Sequence, residues 1–178
     1  MKILTTLFTM AVLATSAVAG PVGSAKNAKN PVAPLPPAGC NAFGPGAFFD
    51  VFAGGFLPEG AGDDELGGGV GVGYFFNRYV GVDLNYGLYA TDSEHHQFDG
   101  NLILRAPIDS LCIAPYLLVG GGLSTNGTTQ GNYQAGAGLD VRFSSASNIG
   151  IFAEGSYHWA AEDDSDYTLV RLGVRIPF

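Results

Sequence analysis

Lysine is missing from most of this chain: its three lysines, Lys2, Lys26 and Lys29, all precede Asn30, and none follows as far as Phe178. A soluble barrel or sandwich normally coats its outer face with lysine and glutamate, so this pattern argues against a large water-facing sheet. Charge of either sign is scarce, at 13% of residues, while 47% are hydrophobic; an average soluble domain carries about 25% charge. Sixteen acids against eight bases argue against a nucleic-acid partner. No apolar run reaches the roughly 18 residues of a membrane-spanning helix.

At the N-terminus, Lys2 is followed by an apolar stretch from Ile3 to Leu13 and by Ala17-Val18-Ala19. This is the pattern of a secretory signal peptide, residues 1–19, with cleavage expected before Gly20. Residues 20–46 hold Pro21, Pro31, Pro34, Pro36, Pro37 and Pro45 among Gly, Ala and Asn, and read as a flexible leader. Residues 47–178 form the folded domain.

From Phe48 onward the hydrophobic period is two. Val80, Val82, Leu84, Tyr86 and Leu88 share one face of a strand from Tyr79 to Ala90, with Gly81, Asp83, Asn85 and Gly87 on the other. The same division recurs over Asn132 to Phe143, Ile149 to Ala160 and Thr168 to Phe178. Weaker runs over Phe48 to Phe56, Gly67 to Phe75, Phe98 to Ala106 and Ile113 to Leu123 bring the count to eight; the last is apolar on both faces, so its facing stays open. Strands of about nine to eleven residues cross a bilayer at a tilt. The expectation is an all-β fold, an eight-stranded antiparallel transmembrane β-barrel.

The charges decide which face is inside. Asp83, Arg105, Asp140, Arg142, Glu154, Arg171 and Arg175 fall on the polar face in near balance and use arginine alone as the cation, as a paired interior network would. The connections alternate between lightly charged turns (Asn77-Arg78, Pro107 to Leu111, Ser144 to Asn148) and loops mostly rich in acid (Leu57 to Leu66, Thr91 to Gln97, Thr125 to Gly131, Ala161 to Asp166). The acidic rim is assigned to the cell exterior. Aromatic girdles are expected from Tyr74, Phe76, Tyr79, Phe143 and Phe178 at one interface and Tyr89, Phe98, Tyr133, Trp159 and Tyr167 at the other.

With Gly67 to Tyr86 (GGGVGVGYFFNRYVGVDLNY), Ala114-Pro115-Tyr116, Gly120 to Gly122 and Leu172 to Phe178 in view, the chain resembles the transmembrane barrels of the OmpA-like and OmpX-like group over Phe48 to Phe178. The resemblance implies the outer membrane of a Gram-negative-type bacterium as location. It also implies a terminal Phe178 read by the barrel-insertion machinery. No peptidoglycan-binding domain is expected beyond Phe178, so the anchoring role of longer OmpA-like proteins is not carried over.

Several motifs invite chemistry. The glycines from Gly67 to Gly73 lack the lysine and helix of a phosphate-binding loop, and Gly69, Gly71 and Gly73 alternate as one strand face, leaving room for bulky interior neighbours. Glu154, Ser156 and His158 share one face and pose an acid, nucleophile and base; some eight-stranded outer-membrane barrels are lipid A acyl hydrolases with Ser and His two apart. Here the order is Ser then His and the face is the lumenal one, so an interior hydrogen-bond network is the expected role. His95-His96 beside Asp92 and Glu94 reads as a solvated loop rather than a metal site, and Asn126-Gly127 as a turn. Glu162 to Asp166 lacks EF-hand spacing and would hold divalent cations only loosely. Cys40 and Cys112 both lie near the rim opposite the acidic one; in an oxidising compartment they can form one disulfide, which requires the Gly39 to Gly46 segment to fold into the barrel mouth.

The function expected is therefore a structural or surface role in the outer membrane without catalysis or cofactor, the alternatives being a lipid-modifying hydrolase and a narrow ion-conducting, porin-like pore. Expected partners are outer-membrane lipids, lipopolysaccharide and the insertion machinery.

Overall fold

The computed structural model describes residues 42–59, 64–90, 95–125, 129–143, 149–161 and 166–178. Eight strands run in chain order: β1 (Gly46–Pro58), β2 (Glu65–Phe75), β3 (Val80–Tyr89), β4 (His95–Arg105), β5 (Ile113–Thr125), β6 (Thr129–Arg142), β7 (Gly150–Ala160) and β8 (Tyr167–Pro177). Each pairs antiparallel with its neighbour, and β8 returns to β1 from Phe48↔Pro177 to Pro58↔Tyr167, closing the barrel. Closure leaves no edge strand, so the backbone donors and acceptors are satisfied around the ring without water, the condition for crossing a bilayer with strands.

One end of the barrel, the turn rim, carries the β2–β3, β4–β5 and β6–β7 connections and the chain end at Phe178; the other, the loop rim, carries the remaining connections. At the turn rim the Asn77 side-chain oxygen accepts from the amides of Tyr79 (2.7 Å) and Val80 (2.9 Å), an Asx turn that reverses the chain between β2 and β3. A second link joins this turn to the next, where Arg78 donates two bonds to Asp109 (2.6 and 2.8 Å). This pair lies outside the spanning strands, and its hydrogen bond and charge raise the Arg78 guanidinium above its ordinary value.

Outward positions form an apolar band that includes Val70, Val72, Leu84, Leu104, Leu117, Val119, Val170 and Leu172. Inward, two aromatic layers bracket polar ones. Phe48, Phe75, Ile103, Tyr116 and Leu118 pack at the turn end, and Phe56, Tyr89, Tyr167 and Leu169 at the loop end. The lumenal glycines of β2 make the first layer possible: a Cβ on Gly73 would strike the Phe48 ring, and one on Gly69 would strike Phe52 and the Tyr86 carbonyl.

Two sequence expectations change, and one question left open is answered. Tyr89 and Tyr167 do not belong to the loop-rim girdle: both are buried in the lumen, whereas Phe98, Tyr133 and Trp159 do face outward. The β4 strand begins at His95 rather than Phe98, so the two histidines lie within a strand and not on a loop. The open facing of β5 resolves with Ala114, Tyr116 and Leu118 inward and Leu117, Val119 and Leu123 outward.

Candidate functional site

The lumen holds the chain's concentrated chemistry, because every inward position that is not glycine or aromatic tends to be charged or amide-bearing. At the turn end, Arg175 on β8 lies between two acids. Its Nε and Nη2 donate to Asp50 on β1 (2.9 and 2.7 Å), and its Nη1 donates to Asp140 on β6 (3.3 Å). Its guanidinium also stacks over Phe48 at 4.3 Å and near Phe152 at 4.9 Å. Asp140 further accepts from Arg142 Nη2 (2.7 Å); Arg142 Nε lies 2.7 Å from the other carboxylate oxygen, without the alignment of a hydrogen bond. Midway along the barrel, Arg171 donates through Nε and Nη2 to Glu154 Oε1, and the Tyr116 hydroxyl donates to Glu154 Oε2 (3.0 Å).

Amides dominate toward the loop rim. Asn101 donates to Asp83 (2.8 Å) and accepts from Gln134 (2.6 Å), while Gln97 donates to Asp99 (2.6 Å) and accepts from Tyr167 (2.9 Å). Asp50 and Asp99 take part without having been singled out in the sequence. The remaining member of the sequence-derived set, Arg105, lies apart at the turn rim, donating to the carbonyls of Arg78 (2.8 Å) and Gly44 (2.9 Å). Phe178 is at the same rim and outward, its amide donating to the Ala47 carbonyl (3.1 Å).

Ser156 and His158 are brought together, with Ser156 Oγ 3.0 Å from His158 Nε2, both buried. The third member is not recruited. Both Glu154 oxygens are engaged by Arg171 and Tyr116, and His158 Nδ1 has no hydrogen-bond partner among the described residues. A relay needs its base oriented and the imidazolium stabilised by a group on the far nitrogen. The His158 ring instead stacks on Tyr167 (4.5 Å between centroids, 17°), and Tyr167 packs on Phe56, which packs on His95. These aromatics pack beside the pair in the lumen.

The neighbouring histidines separate as adjacent strand positions must. His95 turns inward against Phe56, while His96 turns outward with Nδ1 2.9 Å from the Tyr86 hydroxyl. Two groups on opposite faces of one strand cannot close on one metal ion. Asp92, Glu94 and the Glu162 to Ser165 stretch lie outside the described residues, as does Cys40. Cys112 immediately precedes β5 at the turn rim with a left-handed backbone (φ 54°), and its carbonyl accepts from the Arg142 amide (2.8 Å).

No protein-family model matches the chain, and no curated protein matches it in sequence. Solved structures do match in fold. Neisserial surface protein A aligns with a TM-score of 0.62 at 14% identity, over 74% of this chain and 97% of that one. The N-terminal β-barrel domain of Pseudomonas aeruginosa OprF gives 0.55 at 19% identity, over 74% and 99%. The outer membrane enzyme PagL gives 0.51 at 14%, over 72% and 99%. The chain has the fold of the small eight-stranded transmembrane barrels, and these neighbours support an outer-membrane location.

Proposed function

We propose that this chain is an integral outer-membrane protein with a structural or surface role and no catalytic activity, exported by its signal peptide, 1–19, and presenting the acidic loop rim to the exterior. The observation that carries this reading is the filled lumen. Arg175 is held by Asp50 and Asp140, Arg171 by Glu154, and aromatic layers close both ends of the network. An eight-stranded barrel is just wide enough for its own side chains, and here those side chains occupy one another. Its lipid surroundings are phospholipid and lipopolysaccharide, and divalent cations would gather loosely at the acidic rim.

The hydrogen-bonded Ser156–His158 pair favours acyl hydrolysis as a second reading. Both readings meet the same test. Lipid A mass profiles are compared between cells lacking the gene, cells expressing the wild type and cells expressing Ser156→Ala, and the purified protein is reconstituted in planar bilayers. Identical profiles and no conductance steps are the expected result. A mass shift that requires Ser156 would establish the hydrolase, and steady unitary conductance would establish the pore.

A further inference from the structure

Among the described side chains at the turn rim, three guanidiniums, Arg105, Arg142 and Arg175, stand against two carboxylates, Asp50 and Asp140, and both carboxylates are engaged by Arg175 and Arg142. Asp109, on the adjoining turn, is taken up by Arg78. Arg105 is buried, yet its partners among the described residues are two backbone carbonyls and the rings of Phe75 (3.4 Å from Cζ to centroid) and Phe43 (5.4 Å). Carbonyl dipoles and ring faces offset part of the desolvation of a cation, but a buried charge ordinarily requires an opposite one.

The same arginine borders a cavity of about 300 Å³, opened between the strap Ala42 to Gly46 and the ends of β1 and β8, and Arg142 borders it too. The other lining groups are apolar side chains and main chain, which at Phe178 ends in the α-carboxylate; among the described residues no carboxylate side chain contributes, so two guanidiniums stand against that one terminal charge. We propose that this cavity is an anion site, taking the phosphate group of a small phosphate ion or ester, or of a phospholipid headgroup, from the periplasmic side. Two guanidiniums on one small cavity match the recognition of a tetrahedral oxyanion, which arginine binds through paired N–H donors. The strap contributes as well: Phe43 is buried between Arg105 and Arg142, and the Gly44 carbonyl fixes the Arg105 fork. The site itself does not depend on the role proposed above, which supplies only the compartment.

The test uses the full folded chain in maltoside micelles, which contain no phosphate. Inorganic phosphate is titrated at fixed ionic strength against chloride and followed by phosphorus NMR, and in a parallel arm short-chain phosphatidylglycerol is added and its retention read by native mass spectrometry. Saturable binding is expected in at least one arm, weakened about tenfold or more by Arg105→Gln, weakened less by Arg105→Lys, which keeps the charge and loses the paired donors, and unchanged by His96→Gln at the opposite rim. Binding of inorganic phosphate identifies a free anion, and retention of the lipid alone identifies a headgroup. Wild-type protein that binds neither above the chloride background overturns the proposal, whether or not Arg105→Gln folds. Equal binding by wild type and a folded, heat-modifiable Arg105→Gln overturns it as well.

Discussion

Replacing Arg175 with methionine tests the lumenal network at its most connected point. The substitution keeps much of the side-chain volume and removes a guanidinium that is fully buried and hydrogen-bonded to Asp50 and Asp140. The two acids are left in different positions. Asp140 keeps Arg142, whereas Asp50 loses its only ion-pair partner among the described residues. Removing one partner of a buried pair costs about 3–5 kcal/mol, chiefly through the charge left behind, while removing both is often close to neutral. Arg175→Met should therefore destabilise by about that amount, Asp50→Asn with Arg175→Met should recover most of it, and Asp140→Asn with Arg175→Met should recover less. The single tryptophan, Trp159, faces outward at the loop end and reports on insertion, so its fluorescence during urea titration of the protein in thin-bilayer vesicles measures each free energy. A loss under about 1 kcal/mol for Arg175→Met, or equal rescue by the two acid substitutions, would refute a network organised around Asp50 and Arg175.

Three further outcomes follow from the same geometry. Gly73→Val should lower folding yield sharply, since its Cβ would meet the Phe48 ring, whereas Gly155→Ala, with nothing within 4 Å, should fold as wild type or gain up to about 1 kcal/mol; heat-modifiable migration on a detergent gel reads both. Deleting Phe178 should reduce the amount assembled in the outer membrane when other barrels compete, measured by fractionation and immunoblot, and wild-type levels would remove its role as an assembly signal. Cys40 and Cys112 should form one intramolecular disulfide after export, because the strap is drawn into the mouth at Phe43 beside Arg142, whose amide bonds the Cys112 carbonyl; two alkylated thiols in non-reduced protein, seen by mass spectrometry, would show otherwise.

The strands with clean alternation were legible because a one-residue shift would send every side chain to the wrong face. On β3, β6, β7 and β8 the inward and outward sets match the sequence pattern position by position. The same parity places Tyr89 two after Gly87 on the inner face, and Tyr167 with Arg171 and Arg175. Ring type alone would put both at the interface, but position in the strand puts them inside. Strand β1 hid its chemistry for a different reason: Phe48, Phe52 and Phe56 fill the lumen while Phe49 and Val51 face outward, so neither face reads as polar and Asp50 had no polar set to join. The signal that could have found it lies across the sheet. The glycine face of β2 needs large partners, and Phe48 and Phe52 sit opposite Gly73 and Gly69 in the register. Arg105 was legible as an interior arginine but its isolation was not, since that depends on the strap, whose sequence carries no periodic pattern.

A Ser–His contact inside such a barrel is weak grounds for catalysis, and the reason lies in the strand itself. Residues two apart share a face and stand about 7 Å apart along it, so a histidine leaning along the strand reaches a serine two positions back without any selection for reactivity. Chemistry requires more: a group on the far nitrogen, a donor pair for the developing oxyanion, and a path for substrate. Around His158 the far nitrogen is bare of hydrogen-bond partners among the described residues, and the nearest acid on its own strand face, Glu154, is committed to Arg171 and Tyr116. The aromatic stack of Tyr167, Phe56 and His95 packs beside the pair, with Tyr167 directly against the His158 ring, and both Ser156 and His158 are buried. An acyl chain of the surrounding lipid meets the opposite face of β7, where Tyr157 and Trp159 pack edge to face. For substrate to reach Ser156 the barrel wall would have to open, breaking ladder bonds that a closed sheet in lipid cannot replace; in the non-catalytic role proposed above, the hydrogen bond of the pair serves the packing of the lumen.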